Sequence, residues 1–336
     1  MYHSKFKGNP YEAGYKWGAL LRKNNNFIET HMPKATQERA LFAQKCMSDY
    51  KTYYPEILEE IKGIADGQCL PFETLSTFLF SMYCFEFQNR CTCFVFRDDN
   101  EIVFGRNSDF LVDLEKLCDS CYYALNGAYH FVGTTTAMVQ MEDGVNEYGL
   151  AVGLTFVYPN IRKAGLNAGM LVRYLLEKCK TVQEAVNTLQ ELPIASAQAI
   201  TLADATGDMA VVECNPEKTV VIKTQKPFSF VVSSNNFYSH EMEAYKNPPI
   251  DDWRADERYA VVSGALKNNV SNYSTDFAKN LLAGKYGFMC QYDRKTNADT
   301  VWSVVYDLRR KMVFRAEGNP SRKKYVEDKR LRFCGE

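Results

Sequence analysis

Apolar and polar positions divide the chain into a helical front and a longer mixed remainder. Over residues 12–22, Ala13, Trp17, Leu20 and Leu21 recur at helical spacing, and Gly14 and Gly18 lie four apart on one face. That glycine face suits the close approach of a second backbone. A second amphipathic helix begins at Pro55, a residue suited to a first helical turn, and carries Ile57, Ile61, Ile64 and Ala65 along one stripe. Asp66-Gly67 is the expected stop. Residues 72–87 are rich in aromatics, but Glu73, Ser76, Thr77, Ser81 and Glu86 interrupt them. The spacing predicts a buried helix, and nothing reaches the roughly 18 apolar residues of a membrane span.

The pattern changes at Cys91. Residues 91–96 alternate, Asp98-Asp99-Asn100 is turn-forming, and residues 102–104 resume as a strand, so a β-hairpin is expected. Further strands are expected at 122–125, 137–140, 150–156, 199–203, 209–213, 219–222 and 230–233. Between them lie a helix over 169–178 and another opened by Thr181, with Glu184 completing a capping box and Val182, Ala185, Val186 and Leu189 on one face. Beyond Asn247-Pro248-Pro249, helices at 256–267 and 275–282 precede strands at 301–306 and 311–315. The order predicts an α+β fold with antiparallel sheets covered by helices. No internal repeat or low-complexity linker appears.

Charge narrows the functional classes. Lys+Arg number 40 and Asp+Glu 41, a formal charge of −1, so no electrostatic case exists for nucleic acid or an anionic membrane as partner. A chain of 336 residues makes one large domain or two modest ones and buries its core without disulfide staples. The opening Met1-Tyr2-His3-Ser4-Lys5-Phe6-Lys7-Gly8 has no apolar h-region, so no secretory signal is expected. The eleven cysteines are then expected as reduced thiols in a cytoplasmic setting. Cys118 and Cys121 read as ordinary thiols, since a structural zinc site would need a second pair or neighbouring histidines. The stretch from Arg322 to Arg332 contains Glu327 and Asp328 and reads as a solvated face.

Only four histidines are present, isolated from one another, and no local motif nominates one as a base. The hairpin supplies the first chemical signal. It folds Cys91 back toward Gly105-Arg106-Asn107-Ser108-Asp109-Phe110, so a thiol, a guanidinium and a carboxylate converge. On the hairpin alone, the plainer reading is a buried cysteine and a surface Arg–Asp pair.

The wider pattern resembles the N-terminal-nucleophile (Ntn) amide hydrolases of the choloylglycine hydrolase and acid ceramidase group. Within that group it resembles the isopenicillin-N acyltransferase family (acyl-CoA:6-aminopenicillanic acid acyltransferase). Beside Cys91-Thr92 and Gly105 to Phe110, the similar segments are Gly8-Asn9-Pro10-Tyr11-Glu12-Ala13-Gly14-Tyr15, Tyr54-Pro55-Glu56 through Gly63-Ile64-Ala65, and Gly144-Val145-Asn146-Glu147-Tyr148-Gly149-Leu150. Ser234-Asn235-Asn236-Phe237, Thr300 through Asp307, and Gly318-Asn319-Pro320 follow in the same order.

The resemblance implies a four-layer αββα sandwich with two antiparallel sheets behind a helical propeptide. It implies a cut between Arg90 and Cys91, with 1–90 as propeptide or small subunit and 91–336 as catalytic chain. Cys91 becomes the nucleophile, and its freed α-amino group, with a pKa of roughly 7.7–8.0, becomes the base that the scarce histidines do not supply. Arg106 favours the thiolate, Asp109 orients the α-ammonium, and Asn235 donates to the oxyanion. Thr155 stands where relatives often carry Asn, so its backbone N–H is the donor it keeps. Arg258 matches the family's later arginine. Val261 replaces a second arginine three positions on, and Arg254 is the substitute from the preceding turn. Asn146 reads as a turn residue. Arg90 departs from the Asp-Gly often found before the cut. Cys93 is the rival nucleophile on the same strand face, but it shortens the hairpin beyond the family pattern.

The implied activity is hydrolysis of a linear, non-peptide C–N amide through a thioester, with acyl transfer to an amine sharing the same intermediate. The expected partner is a small-molecule amide, with a coenzyme A thioester entering as acyl donor by family analogy. No metal or nucleotide signature appears. Two other classes fit the residues: an uncleaved homologue that binds an acyl ligand, and a thiol-redox or metal-binding protein built on the two cysteine pairs.

Overall fold

Local sequence sets up helices first. Asn9 caps α1 (Pro10–Lys23) by accepting from the Glu12 N–H at 3.2 Å, and Pro10 occupies the first turn. Thr36 caps α2 (Gln37–Tyr53), a helix with no clear apolar stripe to betray it. α3 (Pro55–Gln68) and α4 (Phe72–Ser81) complete the front. Asp66-Gly67 does not stop α3. The helix runs on to Gln68 and closes on Cys69, whose φ is 57°. Gly67 serves contact instead, since a Cβ there would fall 2.5 Å from Tyr15 O, and one on Gly18 would fall 2.6 Å from Ile64 O. With Gly14 and Gly63 beside them, α1 and α3 meet backbone against backbone.

The computed structural model of the intact chain describes all residues except 33, 86–89, 225–226, 247–252 and 336. Glu86 and the Asn247-Pro248-Pro249 boundary lie outside the described residues. The strands are β1 (Lys5–Gly8), β2 (Arg90–Arg97), β3 (Ile102–Leu111), β4 (Asp119–Leu125), β5 (Phe131–Thr135), β6 (Asp143–Asn146) and β7 (Ala151–Phe156). They continue with β8 (Gln198–Ala203), β9 (Met209–Cys214), β10 (Thr219–Lys223), β11 (Phe230–Ser233), β12 (Ala298–Asp307), β13 (Met312–Ala316) and β14 (Val326–Glu327). α5 (Ala168–Lys178) and α6 (Val182–Glu191) separate β7 from β8, while α7 (Ala255–Asn268) and α8 (Thr275–Leu282) separate β11 from β12.

Two sheets result. One has eight strands in the order β1-β4-β5-β6-β7-β8-β9-β10, and the other has six in the order β11-β2-β3-β12-β13-β14. All pairs are antiparallel except β1 with β4, which run parallel. Alternation along β7 explains the layering. Val152, Leu154 and Phe156 join the core under α3 to α6, while Ala151 joins the core between the sheets. Phe94, Phe96, Val262 and Leu281 form a third apolar layer, under α7 and α8. The architecture is αββα, as expected. The front of the chain shares its core: β1 extends the first sheet, and Glu60 of α3 meets Arg173 of α5 at 2.8 Å.

Three expectations differ. Residues 137–140 form no strand, because Met138 adopts φ 59° and the Gln140 side chain turns away to donate to Leu79 O at 3.0 Å. β5 and β6 are strands that the pattern did not mark. β3 does not end near Gly105 but continues to Leu111, because its second half pairs with β12 as well as β2.

Candidate active site

The extended β3 decides how the hairpin groups meet. Cys91 lies opposite Ser108, Cys93 opposite Arg106, and Arg90 opposite Asp109. Cys91, Cys93, Arg106 and Ser108 therefore face the other sheet, whereas Asp109 faces α7 and α8. Convergence is real, but it comes from two sides of one strand pair.

Arg106 is fully buried and held by its partners. Its Nη1 donates to Asp143 Oδ2 at 2.8 Å and its Nε to Leu154 O at 3.2 Å. Nη2 lies 2.7 Å from Cys91 Sγ and 3.4 Å from Glu142 Oε2. Asp143 is fixed in turn by Trp302 Nε1 and Tyr306 O–H, each donating at 2.8 Å. Burial pushes the Cys91 thiol well above its ordinary pKa, against the downward pull of the Arg106 guanidinium. In the intact chain the thiol is thus protonated at neutral pH. Cys93 is pushed up to about 12, again chiefly by burial. A Cβ on Gly153 would fall 3.0 Å from Cys93 Sγ, so its lack of a side chain makes room here.

On the other face, Asp109 Oδ1 accepts from Thr300 Oγ1 at 2.6 Å, its Oδ2 accepts from Tyr292 O–H at 2.9 Å, and Arg258 approaches to 3.6 Å. Desolvation outweighs these partners and pushes its carboxyl up to about 6. Arg258 donates from Nη1 to Cys91 O at 2.7 Å and to Thr92 Oγ1 at 2.5 Å, and from Nη2 to Asn235 Oδ1 at 3.0 Å. Asn235 Oδ1 also accepts from Cys91 N at 2.9 Å, and Asn235 Nδ2 donates to Phe156 O at 2.8 Å.

Cys91, Arg106, Asp109, Asn235 and Arg258 are thus gathered around one peptide. Thr155 is not brought in by its side chain, whose hydroxyl donates to Ala199 O at 3.1 Å and Ser233 Oγ at 3.2 Å between the sheets. Arg254 is engaged with Glu257 and stacks 3.8 Å from the Phe288 ring centre. Asn146 holds its turn, accepting from the Tyr148 and Leu150 N–H groups at 3.1 Å. All four histidines are exposed, whereas this cluster is buried. Glu142, Asp143, Tyr292, Thr300, Trp302 and Tyr306 are site residues that sequence reasoning missed. The available signal was the acidic pair Glu142-Asp143 at the start of β6.

A cavity of about 410 Å³ opens on the α1 side, walled by Trp17, Leu21, Ile28, Met32, Phe78 and Met138 among others. Thr136, also in its wall, donates through its hydroxyl to Glu142 Oε1 at 2.7 Å. No described helix is long and apolar enough to cross a membrane.

The fold is similar to that of a mutant conjugated bile acid hydrolase from Clostridium perfringens, with a TM-score of 0.53 at 14% identity over 70% of this chain and 92% of that one. Similarity also extends to a Caenorhabditis elegans N-acylethanolamine-hydrolyzing acid amidase ortholog (TM-score 0.48, 19% identity, 65% of this chain and 93% of that one). Penicillin V acylase from Agrobacterium tumefaciens gives a TM-score of 0.46 at 20% identity, covering 68% and 83%. No curated protein matches the sequence. Residues 95–322 match the family described as acyl-coenzyme A:6-aminopenicillanic acid acyl-transferase. On that match, which spans most of the sequence, the chain belongs to the acyl-coenzyme A:6-aminopenicillanic acid acyl-transferase family of Ntn-fold enzymes.

Proposed function

We propose that this protein is a self-processing N-terminal cysteine amidase. The observation that carries the reading is the environment of one residue: Cys91 Sγ lies 2.7 Å from Arg106 Nη2, and Cys91 N lies 2.9 Å from Asn235 Oδ1. The chain cuts itself between Arg90 and Cys91, leaving 1–90 as the small piece and 91–336 as the catalytic one. The freed α-amine then accepts the thiol proton. Arg106 stabilises the thiolate, which attacks the carbonyl carbon of a linear, non-peptide amide. Asn235 donates to the oxyanion through its side-chain amide. Asp109 orients the α-ammonium, and Arg258 anchors the Cys91 carbonyl. The tetrahedral adduct collapses, the leaving nitrogen takes the proton from the α-ammonium, and an acyl thioester remains on Cys91. Water attacks it to release the acid and restore the thiol.

Hydrolysis is the default outcome, because water competes at the thioester whereas transfer demands a second binding pocket. Acyl transfer to an amine, with a coenzyme A thioester as donor, uses the same intermediate. The substrates are N-acyl amines or N-acyl amino acids.

Intact-mass measurement of the purified protein tests the first half. Two fragments dividing before Cys91, absent in Cys91→Ala, are expected. A panel of N-acyl amides, including penicillin V, a conjugated bile acid and an N-acylethanolamine, tests the second. Turnover that survives Cys91→Ala in a matured sample defeats the reading.

A further inference from the structure

Packed protein interiors keep few voids larger than a water molecule, and the cavity beside α1 is far larger than that. It measures about 410 Å³, inside the roughly 300–1,000 Å³ range of small-molecule sites. Trp17 and Leu21 of α1, Phe78 of α4, and Ile28, Met32 and Met138 give it an apolar wall. Tyr2 and Leu20 also line it and are 46% and 56% exposed, so it opens to solvent. None of Cys91, Arg106, Asp109, Asn235 and Arg258 lines it, and the chemistry proposed above makes no use of it.

One wall residue is out of keeping with its neighbours. Asp119, at the start of β4, is only 7% exposed. Its Oδ1 accepts from the Ser4 N–H at 3.0 Å, and among the described residues it forms no ion pair. Arg330, whose charge reaches Asp119, directs its donors to Ser120 and Asp328 instead. Ser4 Oγ in turn accepts from Trp17 Nε1 at 3.0 Å, so a carboxylate, a hydroxyl and the edge of an indole meet in one polar corner. No lysine or arginine lines the cavity among the described residues. Of the remaining polar wall groups, Asn24 donates to Leu20 O at 2.9 Å, Thr136 donates to Glu142 Oε1 at 2.7 Å, and His31 is exposed.

A carboxylate set beside hydrocarbon without a cation carries a desolvation penalty that an incoming positive charge relieves. An anionic ligand would meet it as a like charge, and a neutral one would leave the penalty in place. The indole of Trp17 adds an aromatic surface to which cations are drawn. We propose that this cavity binds a small amphiphile with one ammonium group, paired with Asp119, and an apolar tail lying among Trp17, Ile28, Met32 and Phe78. The site is separate from the cysteine chemistry and goes beyond the amidase reading.

Isothermal titration of the full-length chain with three probes of one length, decylammonium, decanol and decanoate, each below its micellar range, tests the site. Decylammonium should bind at a single site, about 10–100-fold tighter than decanol, as a charge-assisted hydrogen bond warrants, with decanoate the weakest. Asp119→Asn keeps an acceptor for the Ser4 N–H and should bring decylammonium to within about threefold of decanol. Leu21→Trp places an indole in the cavity and should weaken decylammonium and decanol at least about tenfold. Decylammonium less than about threefold tighter than decanol, or decanoate as the tightest probe, overturns the proposal on the parent chain alone, whether or not Asp119→Asn folds. So does a preference that survives in folded Asp119→Asn, or binding that folded Leu21→Trp leaves intact, which would mark adsorption to the outer surface. Cys91→Ala should bind decylammonium with the parental affinity. A failed titration therefore leaves the amidase reading standing, and a chain that never cuts itself leaves this site standing.

Discussion

Arg106 and Arg173 are both buried guanidiniums set against two carboxylates, yet they do different things. Arg173 donates from Nε to Glu177 at 2.8 Å, from Nη1 to Val139 O at 2.9 Å and from Nη2 to Glu60 at 2.8 Å. It lies 3.6 Å from the Tyr123 ring centre, and the Tyr54 and Tyr123 hydroxyls donate to the same two glutamates. All three nitrogens end on protein oxygen at short distance. Arg106 matches this arrangement at Nε and Nη1, but its Nη2 meets a thiol sulfur, with Glu142 at a loose 3.4 Å. A saturated guanidinium ties α3 to α5, whereas one with an incomplete set of oxygen partners sits against a thiol.

Four substitutions break or sharpen that contrast. The largest effect belongs to Cys91→Ala, which should remove self-cutting and amide turnover by more than about 10³-fold. It should leave the urea midpoint nearly unchanged, because Arg106 keeps its carboxylates. Next is Arg173→Met, which strips Glu60 and Glu177 of their cation and should destabilise the fold by about 3–5 kcal/mol in a urea titration. Its folded fraction should still cut itself at the parental rate. An Arg173→Met protein as stable as the parent would make the anchor a fiction. Asp143→Asn weakens one charged hydrogen bond on Arg106, a loss of about 1.5–3 kcal/mol. Alkylation of Cys91 by iodoacetamide and amide turnover should both fall about 10–100-fold, and unchanged alkylation would detach Asp143 from the thiol.

The last effect is a pH dependence at Asp109, whose carboxyl is pushed up to about 6 from 3.8. The folded chain holds this proton more tightly than the unfolded chain does. Its stabilising contribution is therefore complete below about pH 4 and lost as pH rises through about 6, amounting to up to about 3 kcal/mol. Asp109→Asn should flatten that portion of the stability curve, as read by urea titrations at either end of the window. An unaltered slope would remove Asp109 as its source.

The contrast also explains what sequence could reveal. Local patterns carried far: α8 and β11 begin and end where the apolar spacing put them, and the Cys91–Arg106 approach follows from the hairpin alone. Asn235 and Arg258 came only through resemblance, since no local rule brings them to Cys91. Glu142 and Asp143 were missed because they belong to the other sheet, and their donors Trp302 and Tyr306 arrive on β12 from far along the chain. The glycine at the expected end of α3 misled for a related reason. Gly67 answers to Tyr15 on α1, a contact invisible in its own neighbourhood. Thr155 enters by position in a motif, for its backbone N–H, and its hydroxyl is engaged between the sheets.

The parallel pairing of β1 with β4 carries a last consequence. β1 occupies the rim of the eight-stranded sheet. A polypeptide severed ahead of Cys91 would retain its leading section as a shield over the outer N–H and C=O groups of β4. Stripping that shield would leave a raw border able to recruit strands from other molecules. Separation of the two pieces should thus register as turbidity in a light-scattering trace, not as two well-behaved peaks on a sizing column.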